Sequence, residues 1–302
     1  MRELKIADLN RFADLIPVQK LEKIEKGWSG DVKYIIHTRK GKFLLRVSDI
    51  SMLKRKAKEI AVIELVSTLN VNTPRFIELQ MLEDMILMVL TFVEGEDAIH
   101  VIPSLPPATQ YRLGYQTGRV LWQIHHLTHN LYQESDFIKM KEKILRRIDQ
   151  YEKSTYMCKD DILPIKYVRD NIDILKDMNV RLNHGDYHIG NMIIDDQQNI
   201  GIIDFNRFDY EDATKEFTSV LTFSKSASIP FTRGTLNGYY PDGIPKLFWK
   251  KVKLYLAYNA MYSLLWAEPF GETEINFMRA RKEELYHEYD FFQKEKPDWV
   301  KG

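Results

Sequence analysis

The amino-acid sequence predicts an α+β fold with two lobes, a β-rich N-terminal lobe and a larger, mainly helical C-terminal lobe. Near the N-terminus, the runs KYIIHT and KFLLRVS are rich in β-forming residues, and Arg39, Lys40 and Gly41 separate them as a hairpin turn would. Further along the chain, apolar residues recur at helical spacing instead. With 302 residues, of which 44% are hydrophobic, the chain is long enough to bury two separate cores.

The N-terminal lobe is expected to contain four strands and one helix. A strand near Leu21 to Glu25 precedes the hairpin, and the helical spacing of apolar residues that begins at Ser51 ends before Pro74. The apolar run Met85 to Leu90 predicts a further strand, and the acidic run Glu94 to Asp97, which contains a glycine, has the composition of a connector. We therefore assign residues 1–93 to the N-lobe, residues 94–97 to a connector and residues 98–302 to the C-lobe.

The helical pattern of the C-lobe is interrupted by a predicted hairpin. The short strands NMIID and IGIIDF flank the polar turn Asp196 to Asn199. After it, aromatic residues between Leu247 and Tyr262 recur at helical spacing, and we interpret them as packed core.

Composition and charge exclude several classes of partner. The chain has 43 basic and 43 acidic residues, so no overall field attracts it to nucleic acid or to an anionic membrane. The longest apolar run, Met85 to Val93, is far shorter than the roughly 20 residues that cross a bilayer. The single cysteine, Cys158, allows no intramolecular disulfide, and the start MRELKIADLN lacks the apolar segment of a secretory signal. We therefore predict a soluble, cytoplasmic protein that binds neither nucleic acid nor membrane, and the sequence does not indicate its oligomeric state.

Three polar residues around the predicted hairpin have the spacing that phosphoryl transfer needs. Asp186 and Asn191 belong to the segment HGDYHIGN, and Asp204 follows in GIIDF, thirteen positions after Asn191. Phosphoryl transfer requires a carboxylate that orients the attacking hydroxyl and accepts its proton, and hard oxygen ligands for magnesium on the nucleotide phosphates. The hairpin returns Asp204 to the edge where Asn191 lies, so the two can share a metal ion. The alternative is a polar turn in which Asp186 and Asn191 bond only to backbone amides.

These motifs resemble those of the aminoglycoside phosphotransferase family, a branch of the protein-kinase-like fold. The resemblance runs from about residue 21 to the final helices and is most specific between residues 184 and 216. It implies a bilobal small-molecule kinase that uses ATP or GTP and Mg²⁺, with its active site in the cleft between the lobes. In that reading Asp186 is the catalytic base, and Asn191 and Asp204 bind the metal.

The same resemblance implies nucleotide-binding roles for residues of the N-lobe. Ser29 and Gly30 lie in the turn GWSG, whose backbone amides would cover the phosphates, although an ordinary turn between strands has the same composition. Where the kinase plan has a lysine paired with a helix glutamate, this chain has Arg46. Glu59 is its predicted partner, and Glu64 is the rival choice.

The end of the run Met88 to Val93 is where members of the family bind adenine or guanine through backbone groups. Thr91 and Val93 are therefore predicted to contact the base, a role that is compatible with packing in a buried strand. We interpret His184 and His188 as bracing the catalytic loop, because a magnesium site built from hard oxygens does not use imidazole.

The acceptor is expected to be a small molecule. The sequence Asp204-Phe205-Asn206 resembles the D-F-G of protein kinases, but its glycine is replaced and no A-P-E follows. The short segment that follows is acidic, and the resemblance carries over only Asp212 from it, as a brace for the catalytic loop.

An aminoglycoside-type antibiotic is the favoured acceptor, which would make the chain a resistance kinase. The C-lobe has a small excess of acidic residues, which would attract a polycation. One alternative is a housekeeping kinase for choline, ethanolamine, homoserine or a sugar-like metabolite. The other is a nucleotide-binding homologue without turnover, an alternative that the replacement of the expected lysine by Arg46 raises.

Overall fold

The chain forms two compact units in its computed structural model, which describes residues 4–12, 15–24, 30–127 and 136–301. Unit 1 comprises residues 1–98 and 191–208, and unit 2 comprises residues 99–190 and 209–302. The chain therefore leaves unit 1, returns to it for one short segment and then continues in unit 2. Unit 1 thus contains residues 191–208, which the sequence assigned to the C-lobe.

The predicted α+β fold class is confirmed, because unit 1 contains antiparallel sheets and unit 2 is mainly helical. The strands of the described residues are β1 (Val18–Ile24), β2 (Val32–Thr38), β3 (Gly41–Asp49), β4 (Phe76–Leu82), β5 (Met85–Thr91), β6 (Glu96–Asp97), β7 (Val180–Asn183), β8 (Met192–Ile194), β9 (Ile200–Ile202) and β10 (Asp209–Asp212). The α-helices are α1 (Leu53–Val66), α2 (Ala98–Val101), α3 (Pro107–His125), α4 (Phe137–Glu152), α5 (Ile162–Asn171), α6 (Ala213–Ser219), α7 (Lys225–Ala227), α8 (Ile229–Tyr239), α9 (Lys246–Ala267) and α10 (Glu272–Glu288). Within the part of the chain that the structure describes, no helix has both the length and the apolar content that a membrane crossing requires.

Five strands of unit 1 form one antiparallel sheet in the order β1-β2-β3-β5-β4. Strand β5 lies between two neighbours and is buried along Met85 to Leu90, which explains why its sequence is continuously apolar. The predicted first strand corresponds to β1, and Glu25 at its end lies outside the described residues. The turn between β2 and β3 fixes their register so that Lys33 is directly opposite Arg46.

The two faces of this sheet differ in character, because successive side chains of a strand point to opposite faces. One face packs against the N-terminal 3₁₀ helix Ile6–Arg11 and forms an apolar core. The buried residues of that core are Leu4, Leu9, Phe12, Leu15, Tyr34, Ile36, Leu45, Val47, Met85, Leu87 and Val89. Lys33 and Arg46 alternate with these residues along β2 and β3, so they lie on the opposite face of the sheet.

The hairpin β8–β9 belongs to unit 1 because it pairs with β6 and with the loop after α1. Strand β8 lies between β6 and β9, and the N–H of Ile202 donates to the carbonyl of Asn72 at 2.9 Å. Gly95, just before β6, has a φ of +136°, and a Cβ there would lie 2.4 Å from the carbonyl oxygen of Ile194. Only glycine allows this close approach, so the connector and the hairpin are held together locally.

Unit 2 is built around the close contact of helices α3 and α8. Gly114 and Gly118 of α3 face the backbone of α8, and Gly234 and Gly238 of α8 face the backbone of α3. A Cβ at any of the four positions would lie between 2.0 and 2.2 Å from a carbonyl oxygen of the other helix. Four glycines therefore bring the two helix backbones into direct contact.

Candidate active site

The HGD loop, residues 184–190 of unit 2, follows strand β7 and carries Asp186. The backbone N–H groups of Gly185 and Tyr187, on either side of Asp186, each donate to the Glu216 carboxylate at 3.0 Å. The Tyr187 hydroxyl donates to the carbonyl of Thr117 on α3 at 2.8 Å. Asp186 is therefore fixed between two anchored backbone amides, while 21% of its side chain stays exposed.

Two histidines complete the hydrogen bonding of the HGD loop. The N–H of Asp186 donates to His184 Nδ1 at 3.2 Å, and the N–H of Gly190 donates to His188 Nδ1 at 3.1 Å. Because His188 Nδ1 accepts a hydrogen bond, a neutral His188 ring carries its proton on Nε2. That Nε2 lies 3.4 Å from Oδ1 of Asp186, so His188 faces the candidate base with a donor.

Glu216 on helix α6 is a buried carboxylate with only 3% of its surface exposed. Burial by itself raises the pKa of Glu216, but the nearby rings of His125 and His184 and the hydrogen bond from the Gly185 N–H outweigh burial and lower that pKa. His125 lies 4.0 Å from Glu216 and its Nδ1 lies 2.7 Å from the Tyr239 hydroxyl. Burial is also the largest influence on His125, and it lowers the pKa of that imidazole.

Asp212 has contacts different from those that the sequence suggested. Its Oδ1 caps helix α6 by accepting the N–H of Thr214 at 3.2 Å, and it also accepts the N–H of Asn179 at 3.3 Å. Lys251 Nζ lies 3.5 Å from its other oxygen. Asp212 thus holds the start of α6, whereas Glu216, about one helical turn later, holds the HGD loop.

The remaining acidic residues after the hairpin are matched by lysines. Lys215 forms ion pairs with Asp209 at 3.0 Å and with Glu211, and Lys143 on α4 contacts Glu211 at 2.9 Å. Burial disfavours the charged form of Lys215, but the charges of Asp209 and Glu211 outweigh it and raise the lysine pKa above its ordinary value. The acidic segment is therefore neutralised within unit 2 to a large extent.

In unit 1, the hairpin β8–β9 brings Asn191 and Asp204 to the same end. Asn191 directly precedes β8, and its carbonyl accepts the N–H of Ile203 at 3.0 Å, one residue before Asp204. Asp204 adopts a left-handed backbone conformation with φ +70° and ψ +60°, which Asp tolerates better than most residues. A non-glycine residue in this region is uncommon, and such conformations concentrate at functional sites.

The segment after Asp204 is tied to helix α1. Arg55 donates to the carbonyls of Asn206 and Phe208 at 2.7 and 2.8 Å. Its guanidinium also lies 3.8 Å from the centre of the Phe208 ring. Helix α1 therefore fixes the chain immediately beyond the candidate metal ligand.

The carboxylate of Asp204 lies against two cations of the main sheet. Lys33 Nζ donates to Asp204 Oδ2 at 2.8 Å, and Arg46 Nη1 lies 3.6 Å from Oδ1. Lys33 was not among the residues that the sequence singled out.

Arg46 belongs to a buried group of four charges, which we call the β3–α1 cluster. Arg46 donates to Glu59 at 2.5 Å and through Nε to Asp31 at 2.8 Å, and Lys56 contacts Asp31 at 2.6 Å and Glu59 at 2.9 Å. Each of the four side chains has 7% or less of its surface exposed. Arg46 therefore contacts Glu59, and the rival Glu64 is exposed on α1.

The other predicted nucleotide contacts lie near the ends of β2 and β5. Thr91 ends β5, and its N–H donates to the carbonyl of Arg75 at 2.9 Å, while Val93 is buried beside Gly201 of the hairpin. Gly30 is exposed just before β2, and Ser29 lies outside the described residues. The nucleotide-binding roles of these residues stay predictions.

The donor set at the hairpin fits magnesium. Asn191 and Asp204 offer an amide oxygen and a carboxylate, which are hard ligands. Among the described residues, no group of three or more His, Cys, Asp or Glu side chains is arranged to hold a metal ion. In nucleotide sites, magnesium takes one or two protein ligands and the remainder from phosphates and water.

Some of the residues that the sequence analysis missed had a signal in the sequence, and others had none. The two-residue turn after Thr38 sets the register of β2 and β3, and counting back from it places Lys33 opposite Arg46. The glycine spacing of α3 and α8 was also visible in the sequence. The contact of Glu216 with the HGD loop had no local signal, because it joins residues about 30 positions apart.

Comparison with known proteins gives one family and a shared fold. The sequence model of the phosphotransferase enzyme family (APH) matches residues 20–247. The gentamicin complex of APH(2'')-IIa aligns with a TM-score of 0.69 at 17% identity, covering 94% of this chain and 97% of that chain. ADP-bound APH(2'')-Ib aligns with a TM-score of 0.65 at 17% identity, covering 98% and 99% of the two chains. Spectinomycin phosphotransferase APH(9)-Ia, solved with ADP and spectinomycin, aligns with a TM-score of 0.63 at 13% identity, covering 99% and 98%. No curated protein matches the chain by sequence.

Proposed function

The chain belongs to the phosphotransferase enzyme family, and from that membership we propose that it transfers the γ-phosphoryl group of ATP or GTP to a hydroxyl group of a small molecule. The observation that carries the proposal is the anchoring of Asp186 between two backbone amides that donate to buried Glu216. Fold neighbours solved with ADP and with GDP support a purine nucleotide as the donor.

In the proposed reaction, the oxygen of the acceptor hydroxyl forms a bond to the γ-phosphorus, and Asp186 accepts the proton of that hydroxyl. The bond from that phosphorus to the bridging oxygen breaks, and the nucleoside diphosphate leaves. Anchored amides keep Asp186 in place, and His188 Nε2 supplies a donor to its carboxylate. Asn191 and Asp204 would hold magnesium, which neutralises phosphate charge when bound.

The nucleotide contacts proposed from the sequence complete this picture. Ser29 and Gly30 would cover the phosphates with backbone amides, and Thr91 and Val93 would face the base. The Thr91 N–H already donates to Arg75, so we propose that the base pairs with other backbone groups at this end of β5. Arg46, paired with Glu59, is proposed to support phosphate binding indirectly, from within the buried β3–α1 cluster.

An aminoglycoside-type antibiotic is the first candidate acceptor. Fold neighbours were solved with gentamicin and with hygromycin B bound, which supports testing such compounds first. A neutral or less cationic metabolite is the second candidate, because Lys143 and Lys215 already neutralise Asp209 and Glu211. That segment consequently offers less uncompensated negative charge to a polycation than its sequence suggests.

The test is magnesium-dependent transfer from ATP and GTP to a panel of aminoglycosides, macrolides and amino-alcohol metabolites. Asp186→Ala should lower kcat by about 10²- to 10⁴-fold, the usual contribution of a positioned general base, while nucleotide affinity stays within about twofold. Asp160→Ala, an exposed change in unit 2, is the matched control and should leave kcat unchanged.

The outcomes separate the alternatives. Transfer to an antibiotic that Asp186→Ala loses supports a resistance kinase, and transfer only to a metabolite supports the second candidate. Nucleotide binding without transfer to any acceptor would support a homologue without turnover. Equal turnover in Asp186→Ala would refute its role as the base.

A further inference from the structure

Lys33 occupies a position in unit 1 that the sequence-based assignment did not consider. It is the second residue of β2, three residues after Gly30, and it is opposite Arg46 in the register of the sheet. Its Nζ lies 2.8 Å from Oδ2 of Asp204, although the two residues are 171 positions apart in the chain. The side chain is 14% exposed, so its ammonium group is near the surface of the unit.

Arg46 is engaged differently. Its Nε and Nη2 donate to Asp31, and its Nη1 donates to Glu59. Only 2% of its side chain is exposed, so its fork is enclosed by these two carboxylates. A guanidinium that is already paired on both sides has little capacity to turn toward a ligand, whereas a lysine offers three donors on a flexible stem.

The charges of the region support the same division of roles. Arg46 and Lys56 are balanced by Asp31 and Glu59, so the buried β3–α1 cluster is neutral without Lys33. Within the described ranges of the chain, Lys33 forms an ion pair with Asp204. Since Asp204 is the proposed magnesium ligand, the ammonium of Lys33 lies beside the position where metal and phosphates would meet.

We infer that Lys33, on β2, is the residue whose cation contacts the nucleotide phosphates, and that Arg46, on β3, is a positioning residue that braces α1 and Asp31. This inference rests on the proposed function and adds a phosphate-binding residue to it. It also explains why arginine is tolerated where the kinase plan places lysine: the arginine fork satisfies the two buried carboxylates, and the mobile amine is supplied by the neighbouring strand.

The test compares affinity for nucleotides with affinity for the corresponding nucleosides, measured by calorimetry on the full chain with magnesium. Lys33→Met should weaken binding of ADP, or of GDP if guanine is preferred, by about tenfold or more, because a charge-assisted contact to phosphate is lost. Affinity for adenosine or guanosine should stay within about twofold. Lys33→Arg should restore part of the nucleotide affinity, since it keeps the charge.

Two matched variants identify the source of any effect. Lys42→Met, on β3 and paired with exposed Glu94, should leave every affinity unchanged. Arg46→Lys should lower the Tm while the ratio of nucleotide to nucleoside affinity changes by less than about threefold. In the wild-type chain, magnesium and ADP, but not adenosine, should also protect Lys33 from acylation as read by mass spectrometry, a measurement that needs no variant.

The failures are distinguishable. If the wild type neither binds a purine nucleotide nor transfers phosphate, the proposed function fails and the Lys33 assignment fails with it. If the wild type binds ADP more tightly than adenosine, but Lys33→Met keeps the same ratio and Lys33 is not protected, the proposed function stands and the Lys33 assignment is overturned.

Discussion

The motif residues of unit 1 and unit 2 are held in place by different interactions. In unit 1, Asp204 lies beside Lys33. Strand β3 is joined to helix α1 by the four buried charges of the β3–α1 cluster. In unit 2, Asp186 is positioned through its backbone, because the flanking N–H groups of Gly185 and Tyr187 donate to Glu216. The first arrangement depends on paired opposite charges, and the second on one carboxylate that accepts two backbone hydrogen bonds.

This difference corresponds to what each part has to bind in the proposed reaction. A polyphosphate with magnesium brings several charges, and a site built from cations and anions can exchange protein partners for ligand partners. A general base needs a fixed position near the acceptor hydroxyl, and backbone hydrogen bonds fix a loop without altering the charge of its side chain. The comparison therefore predicts that unit 1 is sensitive to charge and pH, and unit 2 to backbone packing.

The largest effect is expected for Asp31→Asn in the β3–α1 cluster. The change leaves Arg46 and Lys56 with Glu59 as the one remaining anion of the cluster, and breaking a buried ion pair in this way costs about 3 to 5 kcal/mol. The free energy of unfolding in urea at pH 7 measures this loss, and Asp84→Asn, an exposed change in the β4–β5 turn, is the control. Hydrogen exchange should locate the loss in β3 and α1 rather than in α3 and α8.

The same variant has a defined pH dependence. Burial raises the pKa of Asp31, but the charges of Arg46 and Lys56 outweigh burial and lower it below its ordinary value of 3.8. A carboxylate with a lowered pKa stabilises the folded state above its unfolded pKa, and that stability is lost as pH falls through the folded pKa. The difference between wild type and Asp31→Asn should therefore be constant near neutral pH and shrink below about pH 3.8. A difference that persists unchanged at lower pH would contradict the electrostatic origin.

A smaller effect, without pH dependence, is expected for Gly118→Ala in unit 2. The added Cβ would lie 2.1 Å from the carbonyl oxygen of Thr235 on α8, so the helices must move apart, at a cost of about 1 to 3 kcal/mol. If the contact were loose, alanine would instead stabilise the helix by roughly 1 kcal/mol. The sign of the change in the free energy of unfolding therefore shows whether the two helices are in close contact. Gln116→Ala, exposed on the same helix, is the control for helix propensity.

The sequence predicted the local part of the candidate site and missed contacts made over long distances in the chain. The spacing of Asp186, Asn191 and Asp204 is local, and the turn residues between β8 and β9 indicate the hairpin that joins the last two. The pair of Arg46 with Glu59 followed from helix placement. A buried carboxylate such as Glu216 has no periodicity that marks it, because its role depends on where α6 packs.

The residue missed in unit 1 has a different explanation. The kinase plan places its lysine on β3, and this chain has Arg46 at that position. Adjacent antiparallel strands place directly opposed side chains about 5 Å apart, so a function can move from one strand to the next without moving far in space. The register of Lys33 with Arg46 makes this exchange possible.

The smallest stability effect, with a specific kinetic signature, is expected for Glu216→Gln. The amide keeps one oxygen for the N–H of Gly185 or Tyr187 and turns its NH₂ group toward the other, so one hydrogen bond is lost at a cost of about 1 to 2 kcal/mol. Because the HGD loop then holds Asp186 less firmly, kcat should fall about tenfold while the KM for nucleotide stays within about twofold. Glu283→Gln, exposed on α10 of the same unit, should change neither. A rise in the nucleotide KM with unchanged kcat would mean that Glu216 supports nucleotide binding instead. In that case unit 2 would not be limited to positioning the base, and the division of roles between the two units that their contacts indicate would be wrong.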